Sequence, residues 1–130
     1  MERKNISSGS PWENKVGYSR AVKCGDLFEV SGTTAFENGQ VIGKGDPYQQ
    51  TVFILQKIKR TLEDNGASLK DVIRTRMYVT NINNWETIGK AHAKFFADIK
   101  PAATMVEVNS LIDKDLLVEI EVTARISTNP

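Results

Sequence analysis

Along the chain the spacing of apolar residues switches between a period of two and one near 3.6, and each switch marks an element. Residues 1–15 keep neither period. Ser7-Ser8-Gly9-Ser10-Pro11 is turn chemistry and Trp12 is the one large apolar anchor, so the pattern predicts an irregular N-terminal arm. Apolar and β-branched residues at 18–22 and 27–31 flank Cys24-Gly25-Asp26 and predict a hairpin. Asn38-Gly39 is the strongest short hairpin turn, and it precedes a short strand at 40–42.

The first helix is marked at both ends. Asp46 fits the N-cap, Pro47 the first helical position and Gln49 the third, and Gly66 supplies the stop. Between them Val52, Leu55, Ile58 and Leu62 recur at helical spacing. A strand over 71–80 follows, with Val72, Arg74, Arg76, Tyr78 and Thr80 expected on one face and Ile73, Thr75, Met77 and Val79 on the other. A second helix begins near Asn83 or Asn84, turns Ile88, Ala91, Phe95, Phe96 and Ile99 inward, and ends before Pro101. Strands at 104–108 and 116–126 close the chain. The order β-β-β-α-β-α-β-β predicts an α+β fold, a mixed β-sheet with two helices packed on one face. The chain divides into an arm, 1–15, and one domain, 16–130.

Composition narrows the chemistry. The 130 residues suffice for one domain, and 40% hydrophobic with 25% charged residues is ordinary globular usage. Seventeen basic residues against sixteen acidic ones give a net charge of +1, which removes the electrostatic reason to expect a nucleic-acid partner. Cys24 and His92 stand alone, so no disulfide and no Cys/His zinc cluster can be assembled within the chain. The N-terminus lacks the apolar stretch of a signal peptide and no apolar run is long enough for a membrane span, so a cytoplasmic setting is expected.

Few residues stand out as chemical candidates. Glu119 and Glu121 share one face of the last strand, either as a solvated pair or as walls of a cleft where one carboxylate serves as acid, base or acceptor. His92 lies one turn before Phe96 and reads as a packing residue. Cys24 sits in a turn with nothing to activate it. Gly32 reads as a point of close backbone approach.

Four segments taken together carry a resemblance. Val16-Gly17-Tyr18-Ser19-Arg20-Ala21-Val22, Val30-Ser31-Gly32-Thr33, Pro101-Ala102-Ala103-Thr104-Met105-Val106-Glu107-Val108 and Val118-Glu119-Ile120-Glu121-Val122-Thr123-Ala124 have the order and spacing of the Rid family, also called YjgF-like or endoribonuclease L-PSP-like. The chain resembles that family over about residues 15 to 126. The resemblance implies a chorismate-mutase-like fold and a homotrimer with small-molecule clefts between neighbouring subunits. It also implies cofactor-independent, metal-free hydrolysis of reactive imines and enamines to a 2-oxo acid and ammonia.

The resemblance further implies site residues. Tyr18 and Ser31 match the family's site tyrosine and serine, and Glu121 is matched to its water-activating glutamate. Gly32 adjoins the site serine. The family's substrate-binding arginine follows Pro-Ala, and here that position is Ala103; the cysteine two residues later is Met105, and an asparagine of the second helix aligns with Gly89. A guanidinium fixes a carboxylate through two parallel hydrogen bonds that alanine cannot make. By analogy with broken buried ion pairs its loss costs roughly 3–5 kcal/mol, so standard 2-imino-acid deamination is expected to fall by orders of magnitude. Arg20 is the candidate for a relocated positive charge. The expected function is hydrolysis of a small imine, enamine or related metabolite at an intersubunit cleft, with non-catalytic binding in the same cleft as the alternative.

Overall fold

The computed structural model describes residues 1–127, so the last three residues of the expected span 16–130 lie outside it. The arm is not irregular. Arg3–Ile6 forms a strand, β1, and Pro11–Val16 a short helix, α1. The Ser10 hydroxyl caps α1 by accepting from the Trp12 N–H, Pro11 occupies its first turn, and Gly17 closes it at φ 89°. Both caps were present in the sequence. The strand was not legible there, because Arg3-Lys4-Asn5-Ile6 has no apolar alternation and pairs only because Ala21–Cys24, β2, offers an edge.

The expected hairpin joins β2 to Leu27–Thr34, β3, through Gly25 at φ 62°. Phe36–Glu37, β4, and Gln40–Val41, β5, make a small separate ribbon. Asn38 and Gly39 turn it at φ 53° and 78°, the left-handed pair that this tight turn requires. Asp46 caps Pro47–Glu63, α2, with its carboxylate accepting from the Gln49 N–H at 3.0 Å. Leu55, Ile58 and Leu62 are buried as expected, but Thr51 and Ile54 point inward where Val52 was expected and is only half-buried.

Val72–Val79, β6, runs through Trp85–Phe96, α3, to Ala102–Glu107, β7, and Val118–Arg125, β8, completes the sheet. The six strands lie in the order β1-β2-β3-β8-β6-β7, all neighbours antiparallel except β6 and β7. The two long helices cover one face, where Phe28, Val30, Met77, Ile120 and Val122 meet Ile54, Leu55 and Ile88 in one buried core. A register shift between Val72 and Arg74 corrects the expected faces of β6: Val72 is buried with Thr75, Met77 and Val79, and Ile73 is 51% exposed. The opposite face carries Glu29, Arg76, Tyr78, Glu119, Glu121 and Thr123, all at least partly exposed. Among the described residues no helix is long and apolar enough to cross a membrane.

Candidate functional site

On that open face, β3 carries one residue more than its partner. Val30 pairs with Val122 and Thr33 with Ile120, so Ser31 and Gly32 together oppose Glu121. Such a bulge bends the strand and re-aims its side chains. Its hydrogen bonds hold it locally: Ser31 Oγ donates to the Ser19 carbonyl at 2.7 Å, and Thr33 Oγ1 donates to the Ser31 carbonyl at 2.9 Å. Ser31 Oγ therefore keeps its lone pairs for another donor.

The two glutamates of β8 share this face but not their surroundings. Glu121 accepts from Tyr78 Oη at 2.7 Å and lies 4.0 Å from Arg76 Nε. That bond, followed by burial, pushes the Tyr78 hydroxyl above its ordinary pKa. Glu119 lies over Gly32, where a Cβ would stand 3.0 Å from its carboxyl carbon and collide with Oε2. Burial raises the pKa of Glu119 above the usual carboxylate range; the Arg20 charge opposes this and the Glu121 charge adds to it. Alternation alone could not separate the two. The bulge and the β6 neighbours do.

Tyr18 lies between α1 and β2, 37% exposed, with the Arg20 guanidinium 5.8 Å from its ring centre. Arg20 itself is committed elsewhere. Its Nη2 donates to the Gly32 carbonyl at 2.6 Å, and among the described residues its buried Nε has no partner. It braces the bulge from behind and does not offer a free fork. Lys57 of α2 braces the continuation of β3, donating to the Phe36 carbonyl at 3.1 Å. Its pKa is lowered by burial and by the nearby Arg20 charge.

Ala103 and Met105 fall on the other side of the sheet. In the parallel β6–β7 pair they stand in register with Thr75 and Met77, whose side chains are buried beneath the helices. Met105 packs against that core, while Ala103 on the edge strand is exposed. Gly89 of α3 has open space where a side chain would project. The single chain thus holds Tyr18, Ser31, Gly32, Glu119 and Glu121 on one face of the sheet, and Ala103, Met105 and Gly89 on the other side. His92 is a packing residue: Nε2 lies 2.9 Å from Thr75 Oγ1, its ring is 4.7 Å from that of Phe96, and burial lowers its pKa.

Ser31 also lines an open concavity of about 490 Å³ shared with Tyr18, Ser19, Arg3, Asn5 and Glu13. Glu13 was not singled out from the sequence, yet its side chain is the most enclosed carboxylate of the arm, in a residue only 5% exposed. It accepts from Ser7 Oγ at 2.9 Å, from the Ser8 N–H at 3.3 Å and from Ser8 Oγ. Burial acts to raise its pKa, but the Ser8 and Ser7 hydrogen bonds and the Arg20 charge outweigh it and the net shift is downward. The Ser-Ser-x-Ser-Pro-x-Glu spacing, a serine-rich turn ahead of a capped helix, was the available signal. Among the described residues no three His, Cys, Asp or Glu side chains stand close enough to share a metal ion.

The sequence and the fold have known counterparts. The Endoribonuclease L-PSP family model matches residues 10–126. An uncharacterized protein of Streptomyces coelicolor is 37% identical over 121 residues, 93% of this chain and 90% of that one. A RutC family protein of Pyrococcus abyssi is 37% identical over 109 residues, 82% of this chain and 84% of its own. Among solved structures, Mycobacterium tuberculosis Rv2704, described as a member of the YjgF/YER057c/UK114 family, superposes with a TM-score of 0.87 at 46% identity, covering 96% of this chain and all of its own. The Yersinia pestis protein YyfA, described as belonging to the conserved Rid family, gives 0.83 at 28% identity over 96% of this chain and all of its own. The chain belongs to the Endoribonuclease L-PSP family, which the YjgF, RutC and Rid names also cover.

Proposed function

We propose that the chain is a cofactor-independent hydrolase of a small imine or enamine, with Glu119 rather than Glu121 as the carboxylate that moves the proton. The observation that carries this reading is the position of Glu119 over Gly32, beside Ser31, with its pKa raised by burial. A general acid–base group works best when its pKa approaches the working pH, and burial moves Glu119 in that direction. Glu121, bound to Tyr78, holds the neighbouring strand surface in place.

In this reading the imine carbon lies against the Ser31–Gly32 bulge, with Tyr18 closing the side. As water adds to the carbon, the Glu119 carboxylate takes one of its protons and passes it to the imine nitrogen, giving a carbinolamine. Glu119 then takes the remaining hydroxyl proton and passes it to the amine as the C–N bond breaks, so that ammonia leaves a carbonyl product and the carboxylate is regenerated. Ser31 Oγ, which donates to the Ser19 carbonyl, accepts a hydrogen bond from the substrate N–H or from the water.

We place the site at a boundary between copies in a homotrimer. The support is the split within one protomer: Ser31 and Glu119 are on the open face, whereas Ala103, Met105 and Gly89 are on the helix side. A neighbour's edge strand can bring the two sets together, and a single copy cannot.

The test uses purified protein and freshly generated 2-aminoacrylate, following pyruvate. Glu119→Gln is expected to lower turnover by about 10²-fold or more, and Glu121→Gln by much less. Turnover by the Glu119 variant at the wild-type rate overturns its role. A wild-type rate equal to that of the protein-free control overturns the hydrolase reading in favour of non-catalytic binding.

A further inference from the structure

The exposed alanine at 103 leaves open which cation, if any, meets an anionic ligand beside Tyr18 and Ser31. Arg20 is occupied by the Gly32 carbonyl. Arg76 lies against Glu121 in the adjoining depression of about 340 Å³. Among the described residues, the concavity that holds Tyr18, Ser19 and Ser31 has one cation in its lining, and that is Arg3.

Arg3 reaches this place through the strand that the sequence pattern missed. In the β1–β2 pairing Arg3 faces Cys24 and Asn5 faces Val22, so alternation turns the Arg3 and Asn5 side chains to the same side of the sheet as Val22, away from the helices. The guanidinium is held at one corner only. Arg3 Nε donates to Asn5 Oδ1 at 3.1 Å, and Asn5 Nδ2 donates onward to Ser19 Oγ at 2.9 Å. Those two bonds orient the fork, and among the described residues its terminal nitrogens have no partner. Among the described residues Arg3 makes no ion pair. The acid that shares the concavity, Glu13, has its oxygens taken by Ser7 and Ser8.

We propose that Arg3, oriented by Asn5 and Ser19, is the carboxylate-recognising residue of this site and selects small 2-oxo or 2-imino acids over neutral carbonyl compounds. A guanidinium with both terminal nitrogens free matches the two oxygens of a carboxylate. The cation is thereby supplied by the N-terminal strand, and position 103 is relieved of that task. The proposal rests on the reading above for where the ligand sits.

The experiment is a calorimetric titration of pyruvate, and separately of its neutral amide, into the wild type and into Arg3→Gln and Asn5→Ala. Arg3→Gln is expected to weaken pyruvate binding by roughly tenfold or more, the scale of a lost hydrogen-bonded charge, and to leave the amide unchanged. Asn5→Ala, which keeps the charge and frees the fork, should fall between. Arg3→Lys, which keeps the stem and the charge but not the fork, should bind pyruvate more weakly than wild type with an unchanged melting temperature, so that a loosened strand is told apart from a lost contact. Pyruvate affinity untouched by Arg3→Gln overturns the proposal, as does equal weakening of the amide or an absence of pyruvate binding to the wild type. Arg3-dependent pyruvate binding without turnover of 2-aminoacrylate would sink the hydrolase reading and leave this one standing. Turnover with binding indifferent to Arg3 would do the reverse.

Discussion

Glu119 crosses directly over Gly32, and there is no room for a Cβ between its carboxyl group and the β3 backbone. Gly32 is not in a left-handed conformation, so alanine fits its backbone; what alanine displaces is the far end of the Glu119 side chain. Gly32→Ala is therefore expected to separate activity from stability. Forcing Glu119 off its rotamer costs about 0.5–1.5 kcal/mol. Moving its carboxylate by an ångström is expected to lower turnover by up to about 10²-fold. Parallel thermal melts and rate measurements check this, and a variant as active as wild type would mean that the carboxylate does no chemistry from that position.

The raised pKa of Glu119 has a consequence for stability with a definite sign. The folded protein holds this proton more tightly than the unfolded chain does, so the group favours folding at low pH and that contribution is lost as pH rises through the folded-state pKa. Glu119→Gln should then be more stable than wild type near neutral pH, with the difference shrinking as pH falls through the folded-state pKa and gone once pH is below the ordinary carboxylate pKa. Urea denaturation at a series of pH values measures it. A variant less stable than wild type at pH 7 would contradict the burial argument.

Capping and turn chemistry were legible in the sequence because they are local. Asp46-Pro47 with Gln49, Asn38-Gly39 and the Gly66 stop each act through neighbours a few residues away, and all three appear in place. What was illegible depends on distant partners. Arg3–Ile6 becomes a strand only against β2, and Ile73 turns outward because the β6–β8 register shifts beside it. The different surroundings of Glu119 and Glu121 belong to the same class. Period-two alternation gives both the same face, and only Tyr78 across one boundary and Gly32 across the other make them different.

Glu13 shows the opposite pH behaviour. Its folded-state pKa lies below the ordinary value, since the hydrogen bonds from Ser8 and Ser7 and the Arg20 charge outweigh burial. Its contribution to stability is present above the unfolded carboxylate pKa and is lost as pH falls through the folded one. Glu13→Leu removes the charged acceptor of the Ser7 and Ser8 donors, with an expected cost of about 1–3 kcal/mol at neutral pH. The cost should decline in acid. Because β1 and Tyr18 flank this buried group, hydrogen exchange at 3–8 should accelerate in the variant while the amides of α2 stay protected.

Gln50 ties the last strand to the longest helix. Fully buried in the first turn of α2, its Nε2 donates to the Asp115 carbonyl at 2.9 Å and its Oε1 accepts from the Leu117 N–H at 2.8 Å. Leu117 immediately precedes β8, and Glu119 stands two residues beyond it. Gln50→Leu preserves an apolar fit but leaves the half-buried Asp115 carbonyl and Leu117 N–H without their partner, each at a cost of up to about 1–3 kcal/mol. It should therefore lower the melting temperature and speed exchange of the Leu117 amide. If β8 is anchored at this point, the same variant also broadens the position of the Glu119 carboxylate and lowers turnover further than its fraction unfolded accounts for. Activity that tracks the folded fraction alone would confine Gln50 to holding the loop, and would leave the placement of Glu119 to the Gly32 bulge and the Arg20 brace behind it.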